Sequence, residues 1–249
     1  MHGKAVALVT GANKGIGLQI AKDLARSGFT VLVGSRNLEG GKAVASSVGA
    51  GADVVQLDVT DRASIARAAR YVRETYGRLD VLVNNAGISH AGPSSRTPEQ
   101  MIGATLLSIV NPDELRAVYE TNVFGVIAVT QAMLPLLREA PTAQIVNISS
   151  ITGSLTLNDD PSNPFRIYAG TYSSSKTALN AITQAFAIEL RDTNIKVNAV
   201  CPGFTATDNN KFIGPGTVED AAREPVRLTM LGFNSPTGRF TNAEGALPW

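Results

Sequence analysis

The chain has 249 residues, 44% of them apolar and 17% charged, with a formal net charge of +1. That size and apolar share suit one sizeable core and exclude a disordered chain, and the near-neutral balance gives no electrostatic reason to expect nucleic acid or an anionic membrane as partner. Cys201 is the only cysteine, so no intramolecular disulfide can form, and His2 and His90 have no ligand cluster around them, so no metal site is expected.

Residues 5–10 form an apolar run too short for a signal-peptide core, and they pass straight into a glycine-rich turn, which predicts a buried strand. The turn, Thr10-Gly11-Ala12-Asn13-Lys14-Gly15-Ile16-Gly17, opens a helix over 16–27 with Ile16, Ile20 and Leu24 on one face. Glycines here allow a tight turn, a close approach of backbone to phosphate, and close helix–strand packing. The free N–H groups at the helix start then suit a pyrophosphate. The spacing is G-x-x-x-G-x-G rather than G-x-G-x-x-G.

A second strand over 30–34 runs into Gly34-Ser35-Arg36-Asn37. An NAD site calls for Asp or Glu at this strand end to hold the ribose 2′-hydroxyl. Arg36 instead offers a planar fork to a 2′-phosphate, and Lys14 a second positive charge, which favours NADP(H). A third strand, 54–58, ends on Asp58-Val59, where the carboxylate either accepts from an adenine amino group or serves the following turn. After a helix over 61–76, a fourth strand at 81–84 ends in Asn84-Asn85-Ala86-Gly87. Small residues there let the backbone pass close to a ribose, or simply end the strand.

A helix over 113–138, a strand at 144–149, a helix over 172–192 and a strand at 195–201 complete the pattern. Tyr172 and Lys176 lie four residues apart on one helix face, where a cation favours the phenolate and fits the tyrosine for proton transfer. Strand–helix alternation with near-continuous apolar strands implies an α/β fold, a doubly wound parallel sheet with helices on both faces and ligands beyond the strands' carboxyl ends. Residues 90–112, 153–170 and 204–217 break the pattern next to these motifs and are candidate pocket walls. No repeat or linker divides the chain, and no stretch approaches the length of a membrane span. A soluble, cytoplasmic, single-domain protein is therefore expected, its cofactor half at roughly 1–150 and its catalytic half at roughly 151–249.

The glycine loop 10–17, Asn84-Asn85-Ala86-Gly87, Asn147-Ile148-Ser149-Ser150, Tyr172-x-x-x-Lys176 and Cys201-Pro202-Gly203 follow one another in the order of the short-chain dehydrogenase/reductase family. The chain resembles that family over essentially its whole length. Ala12-Asn13-Lys14-Gly15 and the lengthened segment before Tyr172 are similar to its carbonyl-reductase-like, NADPH-dependent branch. The resemblance implies that Tyr172 is the general acid, and that Lys176 lowers its pKa and hydrogen-bonds the nicotinamide ribose. It implies that Ser150 polarises the substrate carbonyl and that Asn122 positions a water for a proton relay. The pattern alone does not choose between Ser149 and Ser150; the resemblance favours the second.

Pro202, Gly203, Thr205 and Thr207 resemble the segment that contacts the nicotinamide, while Asn85, Ala86 and Gly87 resemble the ribose-side turn. The longer interval between Ser150 and Tyr172 resembles insertions that cover a subunit-packing helix face, so monomer, dimer and tetramer all stay open. The implied activity is NADPH-dependent reduction of a neutral, hydrophobic ketone or aldehyde, with Leu155, Leu157, Phe165, Phe204, Phe212 and Ile213 as candidate wall residues. Two alternatives stand beside it, an NADP-binding regulatory protein without turnover and a reductase of an activated C=C bond. Retention of Asn122, Ser150, Tyr172 and Lys176 argues against the first, and retention of Tyr172 against the second.

Overall fold

The computed structural model describes residues 4–249 except Ser94 and Ala169, so His2 lies outside the described residues. Strands β1 (Val6–Val9), β2 (Thr30–Ser35), β3 (Asp53–Gln56), β4 (Val81–Asn84), β5 (Ala143–Ile148), β6 (Ile195–Val200), β7 (Phe240–Asn242) and β8 (Gly245–Ala246) form one sheet. Their order is β3-β2-β1-β4-β5-β6-β7-β8, parallel throughout except for the β7–β8 hairpin.

Alternate residues of the strands explain why they read as unbroken apolar runs. Leu8, Leu32, Val55, Leu82, Ile145 and Val197 enter one buried cluster. Val9, Val31, Val33, Val81, Val83 and Val146 enter a second cluster. Successive side chains point to opposite faces, so a sheet covered on both sides needs apolar residues at every position.

One covering layer is α1 (Gly15–Arg26), α2 (Leu38–Val48) and α9 (Val218–Met230), which supply Ile20, Leu24, Val48, Ala222 and Leu228 to the second cluster. Opposite lie α3 (Arg62–Tyr76), α6 (Gly125–Leu137) and α8 (Thr171–Glu189), which supply Ile65, Val72, Met133, Leu136 and Phe186 to the first. Asp61 starts α3 by accepting from Ala63 N at 2.8 Å, a cap worth about 1 kcal/mol.

The helix expected over 113–138 is interrupted. α5 (Pro112–Tyr119) passes through one π-helical segment, Glu120–Phe124, into α6. This run also corrects the membrane expectation, since residues 112–137 are long and apolar enough for a span by length and composition. Part of the run instead packs into the core, with Val129, Met133, Leu136 and Leu137 fully buried, while Phe124 stays exposed. α4 (Pro98–Ala104) and α7 (Leu155–Asp159) are short helices within two of the segments that break the pattern. α2 and α9 escape a reading by periodicity because Gly40-Gly41 interrupts one and Pro225 lies inside the other.

Candidate active site

The carboxyl ends of β1, β2, β4, β5 and β6 open onto one cavity of about 1100 Å³. Its phosphate-facing corner is the turn between β1 and α1. Lys14 precedes α1 in extended conformation and makes no side-chain cap, so the N–H groups of the first helical turn stay open to an acceptor. Gly15 sits at φ +56°, a conformation that favours glycine.

Gly17 is required by contact. A Cβ there would lie 2.3 Å from Asn85 Nδ2 and 2.7 Å from Gly11 O. Asn85 occupies that space because its Nδ2 donates to Thr10 O at 2.9 Å and Gly11 O at 3.2 Å. Thr10 Oγ1 in turn accepts from Asn85 N and Ala86 N at 3.0 and 2.9 Å. The end of β4 is thus stitched to the glycine loop. These features fit a dinucleotide pyrophosphate: open N–H groups, a backbone approach that no side chain can block, and a rigid neighbouring turn.

Farther along this end, Arg36 and Val59 line the cavity, and Arg36 is exposed with no ion pair among the described residues. Lys14 is paired with Asp208 across the cavity mouth, so its charge is already shared. Asp58 also lines the cavity, and its Oδ1 accepts from Thr60 N and Thr60 Oγ1 at 2.9 and 2.7 Å. One carboxylate oxygen therefore serves the turn.

Tyr172 and Lys176 project from α8 near the middle of the cavity wall. Their electrostatics differ from the expectation that Lys176 lowers the phenol. Burial pushes the Tyr172 phenol above its ordinary value, with the Cys201 thiol adding and the neighbouring Ser150 hydroxyl opposing. Burial brings the Lys176 ammonium down to about 8. The reason is geometric: Lys176 Nζ donates to Ile148 O at 2.7 Å and stands 5.5 Å from the centre of the Tyr172 ring. Its charge faces the ring and a carbonyl.

The structure separates the two serines. Both line the cavity, but Ser149 is buried with its Oγ donating to Asn180 Oδ1 at 2.6 Å, whereas the Oγ of the partly exposed Ser150 lies 3.0 Å from Thr152 Oγ1. Asn122 lies in the π-helical segment and is fully buried, behind the cavity wall. Its Oδ1 accepts from Ile88 N at 2.9 Å, and its Nδ2 donates to Ile88 O at 2.8 Å and Ser175 Oγ at 3.0 Å. The amide is thus committed to protein partners. π-Helical segments recur at functional sites, and this one aims Asn122 at the strand-four turn.

Ala86, Gly87, Pro202, Gly203, Thr205 and Thr207 all line the cavity. Thr205 Oγ1 turns back to Pro202 O and Gly203 O, both at 3.3 Å. Thr207 lies against Gly15. Cys201 is buried and accepts from Ile151 N, and burial raises its thiol.

Of the expected apolar wall, Phe165, Phe204, Phe212 and Ile213 line the cavity. Leu155 and Leu157 do not. They lie on α7, whose start is tied to the chain terminus by Ser154 Oγ and Thr156 N donating to Trp249 O, and Leu155 is 66% exposed. His90, Met101, Ile102, Thr105 and Tyr168 also line the cavity, from the segments 90–112 and 153–170 expected as walls though not singled out there, and Ser89 lies one residue outside the first. Apolar residues in segments with no regular period carry no directional signal. Phe165 and Tyr168 pack on Phe204 with ring centres 6.4 and 6.0 Å apart.

The model of the short chain dehydrogenase family matches residues 5–217. Short-chain dehydrogenase/reductase 1 of Saponaria officinalis is 33% identical, with 99% of this chain and 96% of that protein covered. The (-)-isopiperitenone reductase of Mentha piperita is 31% identical, with 97% of each covered. Among solved structures, NADPH-bound carbonyl reductase from chicken fatty liver superposes with a TM-score of 0.80 at 29% identity, with 100% of each chain covered. With its parallel sheet, glycine turn and Tyr172–Lys176 helix at one cavity, this chain belongs to the short chain dehydrogenase family of oxidoreductases.

Proposed function

We propose that this protein is an NADPH-dependent reductase of neutral, hydrophobic ketones or aldehydes. The observation that carries the reading is one cavity shared by an open helix N-terminus, the Tyr172–Lys176 pair with Ser150, and an aromatic wall. The turn 11–17 would hold the pyrophosphate, Arg36 with Lys14 the 2′-phosphate, and Asp58 the adenine side. Gly87 and Lys176 would lie at the nicotinamide ribose, with the segment 202–207 at the carboxamide. When bound, the dinucleotide supplies a hydride to the carbonyl carbon.

The chain's own residues do the rest. Ser150 donates toward the carbonyl oxygen, where negative charge develops. Tyr172, kept protonated by its burial, supplies the proton to that oxygen. Lys176 holds its place through Ile148 and presents positive charge to the ring. Asn122 fixes the turn at Ile88 that floors the site.

The test is NADPH oxidation with a panel of aryl ketones, ketoesters and enones. Ketone turnover is expected, with Tyr172→Phe keeping NADPH binding and losing about 10²–10⁴-fold in kcat. Near-normal turnover by that variant would remove the acid assignment. NADPH binding with no turnover on any substrate would leave a sensor, and turnover of enones alone a C=C reductase.

A further inference from the structure

His90 stands on the cavity wall with its tautomer set by the loop beneath it. Ser89 Oγ lies 2.9 Å from Asn209 O and 2.9 Å from His90 Nδ1. A hydroxyl has one proton, and a carbonyl oxygen can only accept, so that proton goes to Asn209. Nδ1 must therefore carry a hydrogen and donate to Ser89 Oγ. In the neutral ring Nε2 is then a bare acceptor, and it has no hydrogen-bond partner among the described residues.

The loop is well held. Ser89 N donates to Asn209 Oδ1 at 3.0 Å, and Lys211 Nζ donates to Arg96 O. The charged groups facing His90 are Arg96, Lys211 and Glu114, and Glu114 is engaged in a two-bond pair with Arg96 at 2.7 and 2.9 Å. Burial first, then the two cations, holds the imidazole below its ordinary value. The ring is neutral at physiological pH, and an ammonium group on a ligand would meet Arg96 and Lys211.

We propose that His90 is a specificity-determining residue whose Nε2 accepts a hydrogen bond from a neutral hydroxyl group on the carbonyl substrate. Among Met101, Ile102, Phe165, Tyr168 and Phe212 it is an acceptor in a largely apolar wall. Ser89 acts through His90 as a positioning residue. The inference rests on the reductase reading and narrows its substrate class to hydroxylated ketones or aldehydes.

The experiment measures kcat and KM with NADPH for acetophenone and α-tetralone, each with its ring-hydroxylated isomers and their O-methyl ethers. The ether keeps the bulk and removes the donor. At least one hydroxyl isomer is expected to exceed its deoxy and ether counterparts by about tenfold in kcat/KM, mainly through KM. His90→Phe should bring that ratio to about one, while His90→Gln, with an acceptor oxygen, should retain part of it. Ser89→Ala should lower the ratio by freeing the tautomer. In the wild type the preference should collapse only at acid pH, below the ordinary imidazole range, where Nε2 gains a proton.

A hydroxyl preference that survives His90→Phe, or no preference in the wild type, overturns the proposal. Thermal melting identifies a misfolded His90→Phe, and the ratios of His90→Gln and Ser89→Ala then decide. Ketone turnover without hydroxyl preference defeats this inference alone. No turnover of any ketone defeats the reductase reading and the inference with it.

Discussion

Lys176 holds its ammonium across the face of the Tyr172 ring, 5.5 Å from the ring centre, while its proton goes to the main-chain carbonyl of Ile148 at 2.7 Å. Both groups are desolvated by the same wall, and burial moves them in opposite senses: the phenol rises and the ammonium falls. Each neutral form is favoured, so the pair rests as a protonated acid beside a lysine that loses its charge readily.

That arrangement dictates a stability profile. The folded Lys176 titrates at about 8, below its ordinary 10.5. Above about pH 8 the unfolded chain binds a proton that the folded chain lacks, so unfolding free energy rises with pH, by at most about 1.4 kcal/mol per pH unit. Cys201, whose thiol burial also raises, offsets the rise above about pH 9, and Tyr172 reverses it above about pH 10, where the unfolded groups ionise and the buried ones do not. Urea melts of Lys176→Met across this window should lack the rise, and an unchanged slope would show that Lys176 is not its source.

Arg36 carries no ion pair among the described residues, whereas Lys14 is shared with Asp208. Most discrimination for a 2′-phosphate should therefore lie with Arg36. Arg36→Asp should weaken NADPH by about 10–100-fold, the worth of a charge-assisted hydrogen bond, and leave NADH nearly unaffected. Titration of cofactor fluorescence measures both, and an unchanged ratio would sink the NADP assignment. Asp208→Asn, which frees Lys14, should tighten NADPH.

Asn122 brackets Ile88 from inside the core. In Asn122→Ala the Ile88 N–H and C=O lose their partners, at a cost of about 2 kcal/mol or more. The Tm should fall by roughly 4–8 °C. A variant that melts like wild type yet loses turnover would show that the side chain acts chemically rather than as a strut.

Gly17→Ala would drive a methyl group into Asn85 Nδ2 and Gly11 O, at 2.3 and 2.7 Å. Relief requires Asn85 to leave Thr10 and Gly11, which unpicks the turn. Dinucleotide affinity should drop more than tenfold, with destabilisation of about 1–3 kcal/mol. Retained affinity in a calorimetric titration would mean that the turn can yield.

Much of this was legible in one dimension. The six longer strands, the glycine turn and the Tyr172–Lys176 helix all follow from local rules: apolar runs, glycine punctuation and helical spacing. Periodicity also reported the helix at 113–138, yet it carries no mark of the π-helical segment that aims Asn122 inward. α9 was hidden by Pro225, and its packing on α1 is a contact between opposite ends of the chain.

By itself, then, the order of residues pointed to the doubly wound sheet and the family and supplied candidate reacting groups, because strands, turns and motifs each depend on neighbours a few positions apart. Only the tertiary structure decided their states. It turned Lys176 to Ile148, put Ser149 on Asn180 and Ser150 beside Thr152, excluded Leu155 and Leu157 from the wall, and tied Ser89 to Asn209 beneath His90. Burial, tautomer and desolvation are set by atoms distant in sequence, and no local pattern encodes them.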